Sequence, residues 1–376
     1  MKFYFITISS LSFFPAFKYI LESFLKFNIK QSKYYLIESH VYGFPNYSNT
    51  VKTCFYHQFS SMDDFNKMSK FLKIKKYVWV IFFLIKAILN KKTVIYTSDY
   101  QVLFIAFKLF RIFKIDTLNI KLIYHQYELI EAEHPKNVLQ IISQNLKYID
   151  LVIIPEKYRL NYFIKNTGID KSKTILFLNS CRVNNAKSPK HPLLHSFKED
   201  DIIIAHIGNI GFNLYIIEFL DFFNNANLPQ NYKLLFIGKQ SELIKKIILD
   251  YQNNKIHFLN EVPHNELSSI YDYIDLGLIL YKPLDLNLDY CAPNKLNEYW
   301  AHGVPVLAPK LTGLVNIISE TMGILVDFNN LDNGILRNIN KLNPEKRNSI
   351  KNEFKNKFEI NIFQKQLENK LNELLA

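Results

Sequence analysis

Cysteine is scarce in this chain. Its 376 residues include 3 cysteines, Cys54, Cys181 and Cys291, with no two close together and no Cys-x-x-Cys. That argues against a disulfide framework or a cysteine zinc site, and for a reducing compartment. Glycine is also sparse, at 10 residues. No short internal repeat and no long low-complexity tract is present. Acidic residues are in deficit, 34 against 46 basic ones, for a net charge of +12. The excess favours an anionic partner: nucleic acid, a membrane surface or a phosphorylated ligand. The most apolar run, YVWVIFFLIKAIL at 77–89, is broken by Lys86, and it falls well short of the roughly 20 residues a membrane span needs. At the N-terminus, MKFYFITISSLSFFPAF has one lysine and an apolar run broken by Ser, Thr and Pro. It reads as a first buried strand, not a signal peptide. No Asp-x-Asp pair and no histidine cluster with ligand spacing occurs, so no metal and no resident cofactor are expected.

What is present is ample for a core: 48% apolar residues and 15% aromatic. The length suggests two domains. In the first half, strand candidates at 2–8, 34–38, 93–97, 120–125 and 151–154 alternate with helical patterns such as 61–73 and 101–113. KTILFLNSCR, at 173–182, adds another strand. Strand and helix in repetition argue for a parallel sheet covered on both faces. The stretch VNNAKSPKHPLLHSFKEDD, 183–201, breaks the rhythm and reads as a linker. Then DIIIAHIGNIG, YKLLFIGK, KIHFLNEVP, ELSSIYDYI, DLGLILYKP, VPVLAP and GILVDF restart it. The tail, about 345–376, is helical and basic, with Phe358, Phe363, Leu367, Leu371 and Leu374 as apolar contacts. The expected fold is α/β: two doubly wound Rossmann-like domains facing a cleft, with a C-terminal helix packing back on the first. The expected boundaries are 1–185, a linker at 186–200, 201–345, and a tail at 346–376. In such sheets, ligands sit at the carboxyl ends of strands.

APNKLNEYWAHGVPVLAP, 292–309, reads as a short helix followed by a buried strand. Pro293 fixes the entry and Asn294 can cap the helix, while Gly303 and Pro305 stop it. Leu296 and Trp300 share one face; Lys295, Glu298 and His302 share another. A helix N-terminus attracts phosphate, and Lys295 adds a full charge there. Glu298, one turn on, is placed to accept hydrogen bonds from sugar hydroxyls. The pattern fits a nucleotide diphosphate and its ribose; a solvated Lys–Glu pair on an exposed face fits the spacing as well.

The ordered set AHIGNIG, LLFIGK, IHFLNEVPHNELSSIYDYIDLGLILYKP and APNKLNEYWAHGVPVLAPKLTGLVNIISETMGILVD resembles the C-terminal domain of GT-B glycosyltransferases, most like the large retaining family four of bacterial surface-polysaccharide type. The resemblance covers about 130 residues. It implies that Glu298 holds the ribose of a nucleotide sugar and that Lys295, with the backbone around Pro293 and Asn294, meets the diphosphate. It places Gly208, Asn209 and Gly211 in the loop that approaches the phosphates, Asn260 to Val262 on the base, and Gly313 and Leu314 on sugar or base. Two departures stand out. Cys291 occupies the position seven before Glu298 where many members carry another glutamate. The loop GNIGFNL, 208–214, is neutral where members often carry a base, which leaves Lys239, Arg159 and Arg182 as further phosphate candidates.

In the first half, IYHQYELIEAEHP follows a strand and offers His125 and Glu128. IIPEKYR offers Glu156 and Arg159. His125, Glu128 and Glu156 are the expected catalytic residues; a structural histidine and a helix cap are the plainer readings. Asp99 in YTSDY and Glu38 and His40 in IESHVYG also follow strands. Residues 65–98 hold eight lysines and no acid, beside Phe71, Tyr77, Trp79, Phe82 and Phe83, and Lys108, Arg111 and Lys114 extend the basic region to 114. The helix at 77–89 either faces the core or lies in a membrane interface.

The implied activity is metal-independent transfer of a sugar from a nucleotide sugar to a saccharide acceptor, with retention of configuration. A lipid-linked acceptor, an anionic membrane surface met through 65–114, and a cytoplasmic, peripheral location on the inner face of the membrane complete the expectation. The alternatives are an inactive donor-binding partner in a polysaccharide complex and a nucleotide-sugar epimerase on the same scaffold. No nucleic-acid module is present, so nucleic acid is not an expected partner.

Overall fold

A computed structural model describes every residue except 10, 12, 13, 15, 27–31, 42–46, 48, 50, 91, 116–118, 130–136, 187, 241 and 333. Residues 10, 12, 13, 15, 42 and 43, 130–135, 187 and the lysine at 91, which belong to stretches quoted above, therefore lie outside the described residues. The chain forms two compact units, Met1–Leu178 with Phe363–Ala376, and Asn179–Ile362.

The first unit runs β1 (Lys2–Ile6), α1 (Phe17–Leu25), β2 (Lys33–Val41), β3 (Lys52–Phe59), α2 (Met62–Asn66), α3 (Lys70–Ile88), β4 (Thr93–Thr97), α4 (Tyr100–Ile112), β5 (Ile120–His125), α5 (Val138–Ser143), β6 (Leu151–Ile154), α6 (Lys157–Thr167) and β7 (Thr174–Leu176). Its parallel sheet has the order β3-β2-β1-β4-β5-β6-β7. Strands such as KFYFI are apolar at nearly every position because both faces are covered. One face packs Tyr4, Ile95 and Leu122 against Phe83 of α3 and Phe107 of α4. Sequence pattern missed β3, whose KTCFYHQF mixes polar and apolar residues and is half-buried at this edge. The helical pattern at 61–73 splits in two: Ser69 adopts extended backbone and its hydroxyl accepts from Leu72 N, starting α3 afresh.

The second unit runs β8 (Ile202–Ile207), α7 (Ile216–Asn225), β9 (Tyr232–Ile237), α8 (Glu242–Leu249), β10 (Ile256–Leu259), α9 (Ser268–Tyr271), β11 (Leu276–Leu278), α10 (Leu286–Asp289), α11 (Asn294–Ala301), β12 (Val306–Pro309), β13 (Gly323–Val326), α12 (Gly334–Arg337) and α13 (Pro344–Lys357). Its sheet is parallel, in the order β10-β9-β8-β11-β12-β13. The segment expected as a linker packs here, with Leu194 and Phe197 buried in the core. The last helix, α14 (Ile360–Leu375), joins the first unit from Phe363 onward. There Gln364 Nε2 donates to Tyr19 O at 2.8 Å, and Lys26 pairs with Glu368 at 2.7 Å. Among the described residues, no helix is long and apolar enough to cross a membrane.

In each sheet the order reverses direction at one place, between β1 and β4 and between β8 and β11. Helices leave opposite faces there, opening a crevice beyond the strand ends.

Candidate functional site

At the second reversal β8 is followed by Gly208, whose φ of +140° suits glycine. Gly208 N donates to Ile237 O at 2.7 Å. Gly238 follows β9 at φ +151°, and a Cβ there would overlap Gly208 O. The two strand tips therefore need glycine at both positions. The rest of the loop is pinned by Ile210 N to Lys239 O (2.9 Å), Lys282 N to Asn213 O (3.0 Å) and Tyr215 N to Leu280 O (2.7 Å).

Helix α11 starts one residue earlier than its sequence suggested. Pro293 is the N-cap, at φ −72° and ψ 122°, and Asn294 is the first helical residue instead of the cap. Proline cannot donate a hydrogen bond and holds φ near −65°. The helix is buried on several sides. Trp300 Nε1 donates to Met322 O at 2.9 Å, and its ring stacks on Phe358. Tyr299 OH donates to Ala205 O at 2.8 Å and accepts from Ile207 N at 3.2 Å, so the helix grips the end of β8. Gly277 makes room for this ring: a Cβ there would lie 2.6 Å from Tyr299 Cγ. Gly303, at φ +69°, ends the helix as expected.

That anchoring aims two charged side chains. Lys295 stretches over Gly208, its Cε and Nζ filling the space a Cβ would take. It makes no hydrogen bond or salt bridge with a described residue. Burial lowers its pKa, opposed by the Glu298 carboxylate. Glu298 is mostly buried. Its Oε2 accepts from Tyr271 OH at 2.6 Å, while Oε1 lies 4.0 Å from the exposed His264 ring. Burial first, and Glu298 next, push the Tyr271 hydroxyl well above its usual range, so it stays a donor. His302, expected beside Lys295 and Glu298, instead binds Asp272 Oδ1 through Nδ1 at 2.8 Å. Burial would raise the Asp272 carboxyl; the bonds from His302 and Ser188 N outweigh it and hold it low.

His206, the last but one residue of β8, sits under the glycine loop. Its Nδ1 faces Leu278 O and its Nε2 faces Asn209 O, both at 3.3 Å. Burial, then the charge of Lys295, lower its pKa to about 4.

Around this centre, Gly211 and the exposed Asn209 lie in the glycine loop, and the exposed Asn260 and half-buried Val262 follow β10. Gly313 N donates to Asp289 O at 2.9 Å, and Gly313 packs on the Cys291 backbone. Lys239 and Arg182 are exposed.

The other named residues belong to the first unit. His125 is fully buried; Nδ1 meets Tyr96 OH at 2.6 Å and the Tyr127 ring covers it. Burial lowers its pKa to about 3, so it is neutral near pH 7. Glu156 caps α6 by accepting from Arg159 N at 2.7 Å. Arg159 donates to Tyr127 O at 2.6 Å and pairs with the half-exposed Glu128 at 3.2 Å. Asp99 accepts from Thr7 and from Ile8 N, and Glu38 accepts from Leu11 N at 2.6 Å, so both hold the segment after β1. His40 is buried, which lowers its pKa.

Sequence reasoning named Lys295, Glu298 and Gly208, and the structure brings the three together. It missed Tyr271, Tyr299 and His206. Tyr271 stands 27 residues before its partner Glu298, and no local pattern announces such a pair. His206 carried a signal in hindsight, a polar residue inside the apolar strand IIIAHI.

Residues 194–357 match the family described as glycosyl transferases group 1. That stretch, less than half of the chain, is similar to the domain this family describes. It contains Gly208, Lys295, Glu298 and Tyr271. The fold of the chain as a whole is that of GT-B glycosyltransferases. Anabaena HepE, solved with UDP and glucose, superposes with a TM-score of 0.69 at 14% identity over 99% of this chain and 100% of its own. A glycosyltransferase from Rickettsia africae superposes with a TM-score of 0.69 at 13% identity over 100% and 99%. The lipopolysaccharide outer core galactosyltransferase WaaB does so with a TM-score of 0.66 at 12% identity over 99% of each chain. No curated protein matches the chain by sequence.

Proposed function

We propose that this glycosyltransferase moves a sugar from a nucleoside-diphosphate sugar, with uridine the first base to test, to a hydroxyl of a lipid-linked saccharide in surface-polysaccharide assembly. The observation that carries the reading is the half-buried Lys295 laid over Gly208, with no hydrogen bond or salt bridge among the described residues, one turn from Glu298. A diphosphate at Gly208 to Gly211 would receive the Lys295 charge and the positive end of α11. Glu298 Oε1 would accept from the ribose diol, held by the Tyr271 bond to Oε2. Asn260 and Val262 would meet the base. HepE, solved with UDP and glucose, supports the uridine choice, and WaaB, a lipopolysaccharide galactosyltransferase, supports the acceptor class.

In the step itself, the bond from the anomeric carbon to the β-phosphate oxygen breaks and its electron pair stays on the diphosphate. The acceptor oxygen bonds to that carbon and its proton passes to the departing diphosphate oxygen. Charge grows on the leaving diphosphate, so Lys295 and the helix N-terminus lower the barrier. The step retains configuration in this reading and uses no resident cofactor. Of the three carboxylate and histidine candidates in the first unit, the half-exposed Glu128 is the one we assign to a substrate. His125 and Glu156 support the strand ends.

A thermal-shift screen with UDP- and GDP-sugars tests the reading, because a ligand of the native state raises the melting temperature. A shift that is lost in Lys295→Ala supports it. A shift unchanged by that substitution overturns the placement. Donor binding without transfer to any acceptor would favour the inactive partner, and donor isomerisation without acceptor would favour the epimerase.

A further inference from the structure

Helix α3 is apolar on two opposite faces. Val80, Phe83, Leu84, Ala87 and Ile88 are buried in the core of the first unit. The other face carries Phe71, Ile74, Val78, Ile81, Phe82 and Leu89, all exposed, with Phe71 at 74%, Ile74 at 64% and Leu89 at 72%. At 3.6 residues per turn, these six fall within an arc of about 100° and form a stripe about 27 Å long. Lys75 and Lys86 border one edge and Lys70 the other. The helix holds five lysines and no acidic residue. An exposed apolar stripe of this length on a soluble surface marks a docking site.

We propose that this face of α3 lies on an anionic lipid bilayer, its apolar stripe sunk into the headgroup boundary and its lysines on lipid phosphates. Charge chooses the occupant. A second copy of the chain docking through the same stripe would bring two rows of lysines together, which opposes the contact. A lipid surface supplies hydrocarbon for the stripe and anions for its edges at once. Since the opposite face is committed to the core, the helix lies parallel to the surface. Only the purpose of docking, access to a lipid-linked acceptor, rests on the transferase reading; vesicle binding is read without any donor.

The test is co-sedimentation of the full chain with vesicles of phosphatidylcholine alone and of phosphatidylcholine mixed with phosphatidylglycerol. Binding to the mixed vesicles only, weakened by salt, is expected. Replacing Lys70, Lys75 and Lys86 with Gln should weaken it on the order of 100-fold, at about one lysine's share each. Phe71→Ser with Ile74→Ser and Val78→Ser should abolish it. Those residues are exposed, so the melting temperature and its shift by UDP-sugar should stay unchanged, which separates this result from failure of the donor site. Equal binding by the serine variant, or equal binding to neutral vesicles, overturns the proposal. So does a wild-type dimer that the serine variant converts to monomer, which would make the stripe a protein interface.

Discussion

Lys295 and Gly208 share one space: the methylene next to the lysine ammonium stands where any side chain at 208 would have to go. The loop and the helix are thereby matched to each other, although 87 residues separate them. Each is set by its own anchors, the glycine by β9 and the lysine by the Tyr299 grip on β8.

Gly208→Ala should therefore act twice. The new methyl displaces Lys295, and the residue is held at φ +140°, at a cost of about 1–3 kcal/mol in backbone strain. The expected outcome is a lower melting temperature together with a lost or much reduced thermal shift by UDP-sugar.

Glu298 and Tyr271 offer a finer separation. Glu298→Gln keeps an oxygen for Tyr271 but removes the charge, and should weaken donor binding by about 1.5–3 kcal/mol. Tyr271→Phe leaves the charge and removes its 2.6 Å anchor; it should cost about 1 kcal/mol of donor affinity. Titration calorimetry with UDP would rank them, and the order should be reversed if the carboxylate only supports the tyrosine.

His206 gives a pH prediction. A neutral ring carries one N–H, so one of its two carbonyl neighbours faces a bare nitrogen; protonation would serve both. Burial and Lys295 nevertheless hold the folded-state pKa at about 4, below the ordinary 6.5. The unfolded chain therefore binds the proton first, and stability falls as pH drops from 6.5 towards 4, by up to about 3 kcal/mol. His206→Gln should flatten that part of the urea-midpoint curve. A bound diphosphate offsets the Lys295 charge and raises the His206 pKa, so UDP should bind more tightly as pH falls, with proton uptake visible in buffers of different ionisation enthalpy.

Tyr299→Phe should destabilise the second unit. It leaves Ile207 N and Ala205 O without the hydroxyl they share, in a buried setting, for a loss of about 1–3 kcal/mol. The urea midpoint reads this directly.

Much of this was legible in the sequence. The parallel strands announce themselves because both faces are covered, so KFYFI and YKLLFI are apolar at every position but one. Helix α11 was placed to within a residue, and the missed detail was that Pro293 itself serves as the N-cap. Long-range pairs were not legible. Tyr271 with Glu298 and Asp272 with His302 depend on how α9 and α11 meet. Nor did the apolar run at 77–89 say that α3 has two faces, since its periodicity blends a buried stripe with an exposed one. β3 escaped because an edge strand with one half-buried face lacks the continuous apolar signature.

The chain has 2 tryptophans, and each marks a different event. Trp79 lies on α3 among Phe82 and Phe83. Trp300 lies in α11, two residues after Glu298. Intrinsic fluorescence thus contains one reporter in α3, the helix proposed to face lipid, and one in α11, the helix proposed to meet the nucleotide. Trp79→Phe and Trp300→Phe would leave each to be watched alone, so that the order in which surface and donor are engaged can be followed optically without any attached dye.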